Sequence, residues 1–346
     1  MIFKKSFLSI IISIGFLAFL DLCCCIFFKV SHIDKTQYIT DGIRFQYSLD
    51  ITRVNRKFFW ELTPDYNGKL LNSFYVNVNS LGFRGDEEVD LSAKKVVLLG
   101  DSCIFGWGVN QEETIPFYLQ QQILKRSEEK IQIINAGVPG YSSFQGRNFL
   151  VHKIAALKPT LASFYFGWND SWESVTQDKK LHWLTDALER KMPNRRTVQF
   201  LKYLYHGVFQ KNRAKFMSIF YKKKTFNDPY VITTRSRVSL KDFENNFRFM
   251  IEFCIKNNII PLIIIPTCDH ARSKFPCLNE YRKILTSLIS EYKISSLDLE
   301  EIFWPLYKQN ISLEKFFIDP IHFSKKGNDF VASLLYKKLK SMGLWN

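Results

Sequence analysis

Residues 96–102 read Val-Val-Leu-Leu-Gly-Asp-Ser, and they restrict the fold more than any other stretch of the chain. Four consecutive apolar residues, two of them β-branched, suit a strand covered on both faces, as the strands of a parallel sheet are. The run stops at a glycine, and helical spacing begins at residue 114, so a tight turn stands at the strand's C-terminal end. Ligands and reactive groups of open α/β sheets gather at that edge. The turn carries a hydroxyl, Ser102, beside a helix start whose first N–H groups have no intrahelical partner. Taken alone, Gly-Asp-Ser also makes an ordinary turn. Its meaning depends on what else reaches the same edge.

From residue 95 onward, strand and helix patterns alternate. Strands are expected at 96–99, 131–134, 161–166, 259–265 and 294–297, and helices at 114–125, 143–157, 240–257, 278–291 and 325–342. The helix from 240 is the clearest, because Phe243, Phe247, Met250, Ile251 and Cys254 form one apolar stripe. Such alternation predicts an α/β fold, a parallel sheet with helices on both faces. Residues 171–239 interrupt it with a stretch rich in Lys, Arg, Trp and Tyr that includes Lys222-Lys223-Lys224. It is too long for a simple connection and is read as a basic, mostly helical insertion, serving as a lid, a membrane-surface patch or a platform for an anionic ligand, or else as a solvated excursion. The expected organisation is therefore an anchor at 1–30, an aromatic-rich prelude or cap at 31–90, and an α/β unit at 91–346 containing the insertion. Within the prelude, Asn79-Ser80-Leu81-Gly82-Phe83-Arg84-Gly85 has the makings of a turn.

The anchor rests on residues 7–28, an apolar run broken only by Asp21 and preceded by Lys4 and Lys5. A span needs roughly 20 apolar residues. Lysines ahead of it favour a cytoplasmic N-terminus, which puts the body of the chain outside the cytoplasm, in the periplasm or at the cell exterior. Leu22 suits poorly the position before a lipidated cysteine, and no small-x-small site precedes Cys23-Cys24-Cys25, so an uncleaved anchor is expected. Lys and Arg outnumber Asp and Glu by 48 to 33, a formal charge of +15. That balance favours an anionic surface or substrate such as phospholipid, acidic polysaccharide or nucleic acid, or is simply a basic solvated surface. Neither a Cys/His finger nor an RNP-type aromatic motif is present, so nucleic acid is not an expected partner. Cys268 and Cys277 are close enough to bridge a loop, though two thiols are thin evidence. Cys103, directly after Ser102, is read as a small buried residue.

Four segments carry reactive side chains near strand ends: Gly100-Asp101-Ser102; residues 135–142 with Gly137, Gly140 and Tyr141; Gly167-Trp168-Asn169-Asp170; and Asp319-Pro320-Ile321-His322. A serine hydroxyl needs a base, and His322 is available to take its proton. Asp319, three residues earlier, is placed to fix the imidazole tautomer. The Ser102 and Gly140 N–H groups and the Asn169 amide are candidate donors to an oxyanion; losing one such donor typically costs about 3 kcal/mol of barrier. Singly, each segment has a plain structural alternative: Asn169 as a helix cap, Asp319 as a cap of the last helix, His322 as a surface residue. Cys268, Asp269 and His270 form one cluster without a second set of ligands, which makes a metal site weak. Arg235 and Arg237 are candidate anion ligands or, more simply, exposed residues. Trp107, Trp168 and Trp172 lie near the expected site and suit stacking or packing.

The four segments together resemble the sequence blocks of the SGNH (GDSL-like) hydrolase superfamily over roughly residues 79–340, with the insertion outside the common core. The resemblance implies Ser102 as nucleophile, Gly140 and Asn169 as oxyanion-hole residues with the Ser102 N–H, and Asp319 and His322 as the Asp-x-x-His pair. Residues 79–85 and Gly106-Trp107-Gly108-Val109 are similar to a membrane-anchored bacterial subgroup. Two departures stand out: Cys103 where leucine is usual, and Phe323 where proline is frequent; neither removes a reactive group. The resemblance further implies a flavodoxin-like three-layer sandwich with a five-stranded parallel sheet in the order 2-1-3-4-5. It also implies action on ester-linked acyl groups of glycans, lipids or small esters, without metal or cofactor. Hydrolysis, acyl transfer to an envelope polysaccharide and a non-catalytic binding or assembly module all stay open on the residues alone.

Overall fold

The computed structural model describes residues 51–55, 57–172, 177–180, 182, 236–271, 273 and 278–345. The expected anchor and nearly all of the 171–239 insertion lie outside those residues, as does Cys277. No described helix is long and apolar enough to cross a membrane. Among the described residues two short antiparallel hairpins come first: β1 (Thr52–Asn55) pairs with β2 (Phe59–Leu62), and β3 (Asn67–Leu70) with β4 (Phe74–Asn77). Alternation along β4 buries Phe74 and Val76 and leaves Tyr75 exposed, the period of a half-covered strand. Sequence reading did not resolve these hairpins, because four-residue strands in an aromatic-rich stretch show little periodicity.

The centre is a parallel sheet of β5 (Lys94–Gly100), β6 (Ile131–Gly137), β7 (Leu161–Tyr165), β8 (Ile260–Ile265) and β9 (Ser295–Asp298), in the spatial order β6-β5-β7-β8-β9. Val96, Val97, Leu98 and Leu99 are fully buried, as a central parallel strand demands. Among the described residues, five of the helices are α1 (Ser102–Phe105), α2 (Ile115–Leu124), α3 (Ser143–Phe149), α4 (Trp168–Ser171) and α5 (Leu240–Lys256). The other three are α6 (Leu278–Tyr292), α7 (Leu299–Lys308) and α8 (Lys325–Ser341). The expected helix at 143–157 is broken in kind: α3 runs into a π-helical turn at Leu150–Ile154 and then a 3-10 turn. The 10-residue α7 was not foreseen, since Pro305 inside it reads as a helix breaker.

Handedness explains the layers. The chain steps from β5 to β6 in one direction, then from β6 across to β7, β8 and β9 in the other. With right-handed crossovers, that reversal puts α2 on one face and α3, α5 and α6 on the opposite face. The contacts agree, for α2 packs on α8 while α5 packs on both α3 and α6. The reversal also opens a crevice at the C-terminal ends of β5 and its neighbours, the topological switch point where such sheets place their sites. Hydrophobic residues of the hairpins, among them Phe58, Trp60, Leu70, Phe74 and Val76, belong to the same apolar cluster as the sheet core.

Candidate active site

Ser102 stands at the first position of α1, directly past the end of β5. Asp101 caps that helix, its carboxylate accepting from the Cys103 N–H at 2.9 Å. The close approach of α1 to β6 requires glycine at 137: a Cβ there would lie 2.1 Å from the Phe105 nitrogen. Asn135 shapes the same corner. Its amide donates to the Phe105 carbonyl at 3.2 Å and its oxygen accepts from Gly137 N–H at 3.0 Å. β6 thus runs three residues further than the apolar pattern suggested, because Asn135 and the two small residues after it still pair with Leu98, Leu99 and Gly100.

His322 reaches Ser102 from the segment between α7 and α8. Its Nε2 lies 2.8 Å from Ser102 Oγ and its Nδ1 2.6 Å from Asp319 Oδ2. An acceptor at Nδ1 keeps the proton on that nitrogen and leaves Nε2 able to accept from the serine hydroxyl. Asp319 does not cap the last helix; Ser324 does. Its other oxygen instead receives the Ile321 and His322 N–H groups at 2.9 and 2.8 Å, which ties the four-residue turn to its own carboxylate. Burial pushes the Asp319 carboxyl up, but the hydrogen bond and charge of His322 and those two N–H donors outweigh it, and the group sits below the usual aspartate range. Across the turn, Ile318 N–H donates to His322 carbonyl at 2.9 Å. Trp107 lies beside the imidazole, with ring centroids 6.2 Å apart.

Gly140 sits in the loop after β6 with φ +79°. No backbone carbonyl among the described residues accepts from the Ser102 or Gly140 N–H. Asn169 lies inside α4, whose N-cap is Gly167, so it is not a capping residue. Its amide nitrogen is 3.1 Å from the Tyr141 carbonyl and 3.5 Å from Asp101 Oδ2. Asp101 is fully buried, and burial pushes its carboxyl up to about 6 against the N–H of Cys103 and the charge of His322. Cys103 is buried too, its thiol 3.4 Å from the Ile321 carbonyl; burial, with the charge of Asp101 adding to it, raises that thiol well above its ordinary value. It is a neutral packing residue, not a nucleophile.

Arg237 corrects the sequence reading. It is neither exposed nor open to an anion but buried against Asp178, with Nε 2.9 Å from the carboxylate. Its remaining nitrogens donate to the Gly140 carbonyl and to Gln145. Asp178 in turn accepts from the Ser142 hydroxyl at 2.6 Å. Arg235 lies outside the described residues. Cys268 is a free thiol 3.5 Å from His270 Nδ1, and His270 Nε2 is 3.3 Å from Glu300. Among the described residues no group of three His, Cys, Asp or Glu is arranged to hold a metal.

Residues 98–330 match the GDSL-like lipase/acylhydrolase family, and the chain belongs to it. That span holds Ser102, Gly140, Asn169, Asp319 and His322, and membership makes the protein a hydrolase of the ester-cleaving kind. No curated protein matches the chain. Among solved structures, it is similar to the lipase/acylhydrolase from Enterococcus faecalis, with 18% identity, a TM-score of 0.47, and coverage of 72% of this chain and 96% of that one. It is also similar to a catalytic mutant of an acetylxylan esterase from Geobacillus stearothermophilus, with 14% identity, a TM-score of 0.47, and coverage of 72% and 94%.

Proposed function

We propose that the protein is a serine esterase that cleaves acyl esters through an acyl-enzyme on Ser102. One observation carries the reading: the continuous chain from Ser102 Oγ to His322 Nε2 at 2.8 Å and from His322 Nδ1 to Asp319 at 2.6 Å, placed at the C-terminal end of β5. As Ser102 Oγ attacks the ester carbonyl, His322 takes its proton and Asp319, held ionised, stabilises the imidazolium. Negative charge gathers on the carbonyl oxygen. The Ser102 and Gly140 N–H groups receive it, with the Asn169 amide proton that is held only loosely toward Asp101 at 3.5 Å. His322 then returns the proton to the leaving alkoxide, activates a water molecule against the acyl-enzyme and resets.

The natural acyl donor belongs to the cell envelope in this reading, a glycan or lipid ester of the acetylesterase type. The apolar run at 7–28 supports an anchor with the catalytic unit outside the cytoplasm, as in the membrane-anchored subgroup that the turn at 79–85 resembles, and the formal charge of +15 supports an anionic surface. The test is labelling of the full chain in detergent with a fluorophosphonate probe, beside turnover of short acyl esters. Ser102→Ala is expected to abolish labelling and to lower kcat by roughly 10⁴-fold or more. A wild-type chain that neither labels nor turns over ends the esterase reading. If turnover appears and glycan acceptors capture the acyl group in competition with water, the protein is an O-acyltransferase on the same triad.

A further inference from the structure

The loop that presents the Gly140 N–H is gripped from outside, and we propose that Trp60, in hairpin strand β2, is a positioning residue for the oxyanion hole. Its indole N–H sets the orientation of the Pro139–Gly140 peptide. The proposal rests on the esterase reading above.

Val138-Pro139-Gly140-Tyr141 is a β-turn closed by Tyr141 N–H to Val138 carbonyl at 3.2 Å. Proline at its second position and a glycine at φ +79° at its third are the marks of a type II turn. Type I and type II turns share their ends and differ by a half-rotation of the central peptide. Here that peptide joins Pro139 to Gly140, and its N–H is the proposed oxyanion donor. Carbonyl and N–H of a trans peptide point in opposite directions. A flip therefore swings the donor away and presents the Pro139 oxygen, a repulsive partner for developing negative charge. Gly140 accepts either sign of φ, so the residue does not lock its own turn.

Trp60 supplies the lock. Its Nε1 donates to the Pro139 carbonyl at 3.1 Å in a buried position. That bond holds the oxygen on the side away from the crevice and so keeps the Gly140 N–H on the other. The indole is itself fixed: Trp60 pairs with Val54 in the hairpin, its ring meets Tyr141 edge-on at 5.9 Å between centroids, and the Tyr141 hydroxyl donates to the Trp60 carbonyl at 2.5 Å. Arg237 lies 5.6 Å from the same ring and binds the Gly140 carbonyl, which belongs to the next peptide. The planes on both sides of Gly140 are thus held by different side chains, and the one that carries the donor is held by Trp60.

Trp60→Phe removes the N–H and keeps an aromatic ring. Expected in the full chain are a fall of about tenfold in kcat on a short acyl ester with KM changed less than about twofold. An alkyl boronic acid, which forms a tetrahedral adduct on Ser102, should lose affinity by the same factor, while the pH profile keeps its midpoint because His322 and Asp319 are untouched. Phe58→Leu is the companion variant. It loosens the same hairpin where the Phe58 ring packs on Tyr141 and Phe149 but spares the indole. A Trp60→Phe protein that retains wild-type kcat and boronate affinity overturns the proposal. So does a Phe58→Leu protein with an equal loss of melting temperature and an equal loss of kcat. Absence of Ser102-dependent labelling in the wild type removes the esterase reading and this proposal with it; a labelled, active wild type beside an unaltered Trp60→Phe removes this proposal alone.

Discussion

Asp170 shows what one residue beside the site does to the whole. It is fully buried; its Oδ1 receives the N–H and hydroxyl of Ser143 at 2.9 and 2.6 Å, while its Oδ2 finds no hydrogen-bond partner among the described residues. Burial pushes this carboxyl up to about 7, against the two Ser143 donors. A carboxyl raised in the folded state stays protonated there while the unfolded chain has already ionised. Its contribution to stability is complete below about pH 4 and is lost as pH rises through about 7. Between pH 5 and 7 the loss from this group is about 3 kcal/mol, at 1.36 kcal/mol for each unit of the window. Asp101 acts with the same sign over a shorter window that ends near 6. Asp170→Asn keeps an acceptor for Ser143 and cannot ionise. Its stability relative to wild type, followed by thermal unfolding, is expected to be clearly more favourable at pH 8 than at pH 5; parallel curves would refute the assignment. At this scale the sequence was most readable where chemistry is local. Asp319 and His322 sit three residues apart and Ser102 ends an apolar run, so their residue types alone suggested a triad. Arg237 and Asp178 were not readable, because 59 residues separate them and neither carries a local mark of its partner.

Among the elements, the parallel strands announced themselves through unbroken apolar runs, and their limits moved only where polar residues continue a ladder, as Asn135 does in β6. The turn at 79–85 was legible as a turn, since Asn79 accepts the Leu81 and Phe83 N–H groups through its own side chain at 3.2 and 3.0 Å. What it is for was not legible. Arg84, 2% exposed, passes its guanidinium into the corner behind the nucleophile and donates to the carbonyls of Phe105, Gly106 and Val109 at 2.8, 2.6 and 2.8 Å. They are acceptors at the C-terminal end of α1 and in the loop after it; the Phe105 carbonyl also takes the Asn135 amide and the Gly106 carbonyl the Val109 N–H, while the Val109 carbonyl takes Arg84. The turn therefore clamps the short helix that bears Ser102. Lysine carries the same charge but no planar fork, so Arg84→Lys leaves at least one buried carbonyl without a donor at about 1–3 kcal/mol each. A loss of about 3 kcal/mol in denaturant unfolding is expected, with a slower reaction at Ser102 as the helix loosens. A change below about 0.5 kcal/mol, the usual scatter of exposed substitutions, would show the clamp to be idle.

For the molecule as a whole, the relation between the hairpins and the sheet decides where the chain can be cut. Phe58, Leu62, Leu70, Phe74, Val76 and Val78 are each less than 5% exposed and share one core with β5 and α1. A chain starting at residue 91 uncovers that surface, loses the Arg84 clamp and frees the Pro139–Gly140 peptide from Trp60. The apolar area set free is of the kind that drives aggregation, since soluble monomers rarely tolerate contiguous patches beyond a few hundred Å². A chain starting at residue 51 keeps every one of these contacts and discards the apolar run at 7–28. Under the anchor reading, the 51–346 chain is expected to leave the membrane fraction without detergent, to melt near the full chain and to label with fluorophosphonate at Ser102 at an undiminished rate. The 91–346 chain should be insoluble or unlabelled. Each arm tests a different claim. A 51–346 chain that still needs detergent shows that the N-terminal run is not what holds the protein to the membrane. A 91–346 chain that is soluble and labels at the full rate shows that the hairpins merely rest on the fold, and it removes the account in which residues 51–90 hold both the nucleophile helix and the oxyanion turn in place.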